Sequence, residues 1–155
     1  MTAQVGDVIS YLGETFSLHS NPLEQYFEAG HQRPKCLAEE IEYTFTANWR
    51  GYIAEWTIDN DILFMNNITG PKGKVSRAMS ELFPDAQPPI EASWHTGKLR
   101  IPSGEMLQYV HTGYSTRFEK EIILHVKNRR VVKKKIKRRV IRKLTKWLKI
   151  KCVPI

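Results

Sequence analysis

Residues 117–139 read RFEKEIILHVKNRRVVKKKIKRR, a stretch that joins a strand signal to a helix signal. Arg117, Glu119 and Glu121 fall on one side of an extended chain, and Phe118, Ile122, Leu124 and Val126 on the other. That two-residue period is the mark of a half-buried strand over 117–127. Asn128-Arg129 follows as a short turn, and Arg130-Val131-Val132 returns as the second arm of a hairpin. After Val132 the character changes. Val132, Ile136, Val140, Leu144 and Leu148 recur at four-residue steps, with Ile141, Trp147 and Ile150 filling the same half of a helical wheel. The spacing predicts an amphipathic helix over 134–150.

Before the hairpin, short runs of aromatic and β-branched residues recur between Gly, Asn, Asp and Pro. They predict strands at 7–12, 14–18, 41–48, 51–58, 61–68, 90–94, 97–101 and 105–112. Asp59-Asn60 and Ser103-Gly104 read as hairpin turns. Asn21-Pro22-Leu23-Glu24 offers a cap, a proline at the first helical position and an early acid, so 22–28 is expected to turn helical. A second short helix is expected from Ser76 to Phe83, stopped by Pro84. The expected fold class is α+β: predominantly antiparallel β built from hairpins and meanders, barrel- or sandwich-like, with two short helices and a basic amphipathic C-terminal helix. Thr46-Ala47-Asn48-Trp49-Arg50-Gly51 and Glu91-Ala92-Ser93-Trp94-His95-Thr96-Gly97 form a weak internal echo, either chance or a pair of similar β units.

Charge divides the chain. The last 29 residues hold fourteen Lys or Arg and no acid, whereas the preceding 126 hold ten bases and all sixteen acids, giving a net +14 after a net −6. With 155 residues and 18.0 kDa the chain is sized for one body. We divide it into a β-rich body over 1–132 and a basic tail over 133–155. The first residues lack the pattern of a secretory signal and no run approaches the length of a membrane span, so a cytoplasmic protein is expected. Cys36 and Cys152 are too few for a disulfide scaffold.

Within the tail, Lys133, Lys134, Lys135, Lys137, Arg138, Arg139, Arg142, Lys143, Lys146 and Lys149 are the candidate anion-binding residues. Val140, Leu144, Trp147 and Leu148 are the candidate membrane or partner face. Three roles compete for this arm: docking on its own acidic body, nucleic-acid binding by counterion release, and lying on an anionic membrane surface. Cys152-Val153-Pro154-Ile155 has the outline of a prenylation box, with a proline that suits it poorly.

Catalytic patterns are thin. His111, Arg117 and Glu119, on neighbouring strands, supply a base, a phosphate-binding cation and a carboxylate, the parts of a small metal-independent ribonuclease or toxin-like enzyme. A paired surface cluster accounts for the same residues. His19, His31, Cys36, His95, His111 and His125 lack metal-ligand spacing, so no metal and no cofactor is expected. Gly70-Pro71-Lys72-Gly73-Lys74 offers amides and ammoniums to a phosphate without the full spacing of a nucleotide loop. Trp49, Arg50, Tyr52 and Trp56 offer an aromatic-cationic cluster.

Asn21-Pro22-Leu23-Glu24-Gln25-Tyr26, Trp49-Arg50-Gly51-Tyr52-Ile53-Ala54-Glu55-Trp56, Trp94-His95-Thr96-Gly97 and Tyr109-Val110-His111-Thr112-Gly113-Tyr114 resemble segments of a group of small hypothetical bacterial proteins. The similarity covers roughly residues 6–126 and leaves out the basic tail. It implies a bacterial or phage setting and a β-rich body, and no activity. The expectation drawn from the residues is a non-enzymatic binding or accessory protein. Its cationic arm engages anionic partners, nucleic acid ahead of membrane, and its acidic body offers a surface to a protein partner.

Overall fold

The computed structural model describes residues 4–34, 51–69, 78–110 and 113–139. Their elements, in chain order, are β1 (Asp7–Tyr11), β2 (Glu14–Leu18), α1 (Pro22–Glu28), β3 (Ile53–Asp59), β4 (Ile62–Thr69), α2 (Ala78–Leu82), β5 (Ile90–Glu91), β6 (Gly97–Gln108), β7 (Arg117–Lys127) and β8 (Arg130–Arg138). The strands form one sheet in the order β2-β1-β3-β4-β8-β7-β6, with the short β5 also paired to β4. All pairs are antiparallel except β1 with β3, whose register sets Ile9 beside Trp56. The sheet is therefore mixed: predominantly antiparallel, as expected, with one parallel pair that the hairpin signals do not carry. A parallel pair needs a crossover, and the chain between β2 and β3 contains α1.

Three hairpins share one solution to reversing the chain. Leu12-Gly13, Asn60-Asp61 and Asn128-Arg129 each lie between paired strand ends and each has positive φ at both residues. That is the type I′ geometry whose twist matches the strands it joins. The second turn sits one residue later than the expected Asp59-Asn60. Ser103-Gly104 does not turn the chain. Gly104 (φ +81°) lies inside the continuous strand β6, where the pairing with β7 shifts between Ser103 and Met106. A glycine within a strand marks such a bulge as readily as it marks a turn.

The first helix begins and ends where its residues place it, with Pro22 in the first turn. Its expected side-chain cap is absent. The Asn21 Oδ1 instead accepts a hydrogen bond from the Tyr114 hydroxyl at 2.6 Å. The second helix is described from Ala78 to Leu82, and β5 occupies only Ile90–Glu91 of the expected 90–94. The predicted strand at 41–48 and residues 46–50 of the internal echo lie outside the described residues.

The core lies on the inner face of the sheet, where Ile9, Leu18, Trp56, Leu63, Met65, Leu99, Ile101 and Leu124 are buried. Buried Asp7 accepts hydrogen bonds from the Trp56 indole and the Ala54 amide, each at 3.0 Å. Tyr52 and Trp56 are both core residues, and the Arg33 guanidinium lies over the Phe27 and Tyr52 rings. Trp49 and Arg50 lie outside the described residues. No described helix is long and apolar enough to cross a membrane.

The two margins of the sheet meet. Past the end of β2, the His19 amide donates to the Arg100 carbonyl of β6 at 2.7 Å, and Ser20 Oγ bonds both Lys98 O and Arg100 N. In the middle of the path, β4 and β8 touch only near their hairpin tips, through Leu63 N to Arg129 O and Val131 N to Asp61 O. Beyond Val131, β8 leaves β4 and continues along β7 alone.

Candidate anion-binding face

The segment expected to open a helix at residue 134 is a strand as far as Arg138. Its register on β7 is explicit: His125 opposite Lys133, Leu124 opposite Lys134, Ile123 opposite Lys135, Ile122 opposite Ile136, Glu121 opposite Lys137. Residues opposite one another share a face, and successive residues alternate. Because Leu124 and Ile122 are buried in the core, Lys134, Ile136 and Arg138 belong to the inner face and Lys133, Lys135 and Lys137 to the outer. The Lys134 ammonium confirms its side, 5.3 Å above the ring of the core residue Tyr11. The outer ends of β8 are exposed on both faces.

On its other side β7 pairs with β6, which sets Lys98 opposite His125 and Arg100 opposite Ile123. Two rows therefore cross three strands on the outer face: Lys98, His125, Lys133, then Arg100, Ile123, Lys135. Lys98 and Lys133 stand two strands apart in the first row, as Arg100 and Lys135 do in the second. Glu121 is the acid among them. Arg100 grips it with two hydrogen bonds of 3.0 and 3.2 Å, and Arg139 approaches at 3.6 Å from the far side. Burial works against the Glu121 charge, but the Arg100 hydrogen bond and charge, with Arg139 and Lys137, outweigh it and hold its pKa below the ordinary carboxylate value. Beside this network His19 stacks on Tyr114 at 4.8 Å. Burial, then Arg100, lowers its pKa, with Glu121 acting in the opposite direction.

Of the ten candidate anion-binding residues in the tail, Lys133, Lys134, Lys135, Lys137, Arg138 and Arg139 are described, and the strand divides them between two faces. Arg142, Lys143, Lys146 and Lys149, with the proposed membrane face of Val140, Leu144, Trp147 and Leu148, lie outside the described residues, as do Cys36 and Cys152. Lys98, Arg100 and His125 are the members of the face that charge counting in the tail misses. The signal for them is a register across β6, β7 and β8, which no local pattern carries.

Of the catalytic alternative, His111 lies outside the described residues. Arg117 and Glu119 are exposed on β7, and the Glu119 carboxylate rests against the β6 bulge, within 3.4 Å of the Glu105 amide. β6 ends at Gln108, short of the strand expected to reach 112. The Gly70–Lys74 loop is likewise outside the described residues. Among the described residues no three His, Cys, Asp or Glu are arranged to hold a metal ion. A shallow cavity of about 200 Å³ beside α2 is lined by Met79, Phe83, Pro88 and Ile90 among others, with no titratable side chain.

His95 stands apart from the face. It is buried, and its Nδ1 lies 2.8 Å from the Gln25 Oε1. That oxygen also accepts from the Thr96 amide, so the imidazole Nδ1 carries the proton. Its Nε2 is buried without a partner among the described residues. Burial lowers the His95 pKa to about 4. No family model, no curated protein and no solved structure matches this chain.

Proposed function

We propose that the protein is a non-enzymatic binding module that holds a polyanion, nucleic acid first, on the outer face of β6, β7 and β8. The observation that carries this reading is the register that brings Lys98 and Arg100 of the acidic body into line with Lys133, Lys135 and Lys137 of the basic segment. Along β8 these lysines repeat every second residue, about 6.6 Å apart. A repeating row of cations matches a ligand whose charges also repeat, and each contact with a phosphate releases a condensed counterion. The bacterial or phage setting implied by the resemblance stays part of this reading.

Lysines on an edge strand also discourage edge-to-edge pairing. That role does not require cations two strands away on β6, and it leaves nucleic-acid binding unaffected when they are removed. The test is a salt titration of binding to labelled nucleic acid and to anionic vesicles. It compares the parent chain with Lys133→Gln, Lys135→Gln, Lys137→Gln combined, and with Lys134→Gln, Arg138→Gln combined. The outer triple variant is expected to weaken nucleic-acid binding roughly tenfold or more and to reduce the salt slope by about 2, from three lost phosphate contacts. The inner pair is expected to change the slope less. Unchanged binding by the outer variant overturns the reading, and binding confined to vesicles moves it to the membrane alternative. Truncation at Val132, the obvious way to remove the tail, is unsuitable because it removes most of β8 and uncovers β7.

A further inference from the structure

The outer face is not uniform. Its margins are cationic, with Lys98 and Arg100 on β6 and Lys133, Lys135 and Lys137 on β8, followed by Arg139. Its centre line, on β7, carries His125 and Ile123, each half-buried, before reaching Glu121. The two margins stand two strand spacings apart, about 9.6 Å. Thus an imidazole ring and an aliphatic side chain lie on the strand between two cationic strands, with Arg100 and Arg139 reaching in to Glu121 at one end.

That cross-section distinguishes two forms of nucleic acid. A duplex presents phosphates outward and keeps its bases stacked inside, so a ring and an isoleucine at the centre of its contact would meet charge and gain nothing. A single strand presents phosphates along one side and unstacked bases on the other. With its backbone on the β8 lysines, its bases fall across β7 toward Lys98 and Arg100. Flat π faces need a ring or an apolar surface to lie on, and histidine serves as such a platform. Resting on the nucleic-acid reading above, we propose that this face takes single-stranded polynucleotide, with the phosphates along Lys133, Lys135 and Lys137 and a base stacked on His125.

The stacking position at His125 lies outside the tail. Trp147 is the ring that the basic segment itself offers, whereas His125 belongs to β7 and is flanked on both sides by lysine. The face also separates two jobs. The lysines set affinity through charge and hence through salt, while His125 contributes contact that salt does not screen.

The experiment is fluorescence anisotropy at several salt concentrations with a single-stranded RNA of about twelve nucleotides and the same sequence as a duplex. The chains compared are the parent, His125→Ala and His125→Phe, each checked for an unchanged circular dichroism spectrum. The parent is expected to prefer the single strand. His125→Ala is expected to lose roughly five- to a hundredfold in single-strand affinity with the salt slope unchanged and duplex binding unaffected, and His125→Phe to keep or exceed the parent affinity. Equal affinity for single strand and duplex overturns the inference, as does a His125→Ala variant that binds the single strand like the parent. In both cases the polyanion reading stands. If the parent binds neither nucleic acid, the polyanion reading fails and this inference with it.

Discussion

At Gly6 the backbone runs so close to β2 that a Cβ would sit 2.5 Å from the Leu18 carbonyl oxygen and 2.6 Å from Ser17 Oγ. The serine can rotate away, but the carbonyl belongs to the first hairpin and cannot. Gly6→Ala is therefore expected to destabilise the fold by about 1–3 kcal/mol, the usual cost of overpacking, read as a lower urea midpoint. The next residue explains why the chain comes so near. Asp7 is fully buried with its carboxylate on the Trp56 indole and the Ala54 amide, so β1 must lie where both donors can reach it. A buried carboxylate is tolerated because donors surround it. Glycine and aspartate at 6 and 7 look like an ordinary strand entry in the sequence. Their importance comes from partners distant in sequence, Leu18 for Gly6 and Ala54, 47 residues on, for Asp7.

Element by element, turn chemistry was legible in part, since Asp59-Asn60 is displaced by one residue and Ser103-Gly104 lies within β6. Asn128-Arg129 is a turn as expected, and α1 spans Pro22–Glu28. Leu12 is the exception to good turn chemistry. It holds φ +52° and is 75% exposed, so it bears the left-handed strain with little packing in return. Leu12→Asn turns Leu-Gly into Asn-Gly, the favoured type I′ pair, and is expected to stabilise by about 1 kcal/mol. A thermal midpoint that fails to rise counts against the turn as a site of strain. The opening of the basic segment is the instructive miss. Val132, Ile136 and Val140 are four apart, and four is both close to one helical turn and twice the strand period, so the spacing cannot separate helix from strand. Energetics separate them. A helix would stack Lys and Arg at neighbouring i, i+4 positions, whereas a strand divides them between two faces and satisfies its backbone on β7. Val131 meets Val126 and Ile136 meets Ile122 in that pairing, which the helix would forgo.

Across the whole molecule, stability is expected to fall with mild acid. Burial depresses the His95 pKa to about 4, and burial followed by Arg100 lowers that of His19. The unfolded chain takes up these protons more readily than the folded one. Their contribution is therefore complete above the ordinary histidine pKa of about 6.5 and is lost as pH falls toward the folded values. For His95 alone the loss amounts to about 3 kcal/mol by pH 4, and the lowered pKa of Glu121 extends the same trend below the ordinary carboxylate range. Urea midpoints between pH 7 and pH 4 should drop steadily, and His95→Asn, which keeps a donor for Gln25, should flatten the slope. A slope retained in that variant would assign the acid sensitivity to other groups. The same scale governs function. The sequence suggests an acidic body with a separate cationic arm, but the first part of the arm is the eighth strand of the sheet. Its charge joins Lys98, Arg100 and His125 in one face.

Local features of the chain are written in its residues: abundant short strands, the hairpin at Asn128-Arg129, the helix after Asn21, and a charge division between the first 126 and the last 29 residues. Each is encoded within a few neighbouring residues, through φ preferences, the two-residue alternation of strands and simple composition. Only the tertiary structure decided the parallel pairing of β1 with β3, the continuity of β6 through Gly104, the strand at Arg130–Arg138 and the faces on which its lysines lie. Those outcomes depend on which strand edges find each other across long stretches of chain. A register slip of one residue would send every lysine of β8 to the opposite face while leaving each local signal as favourable as before.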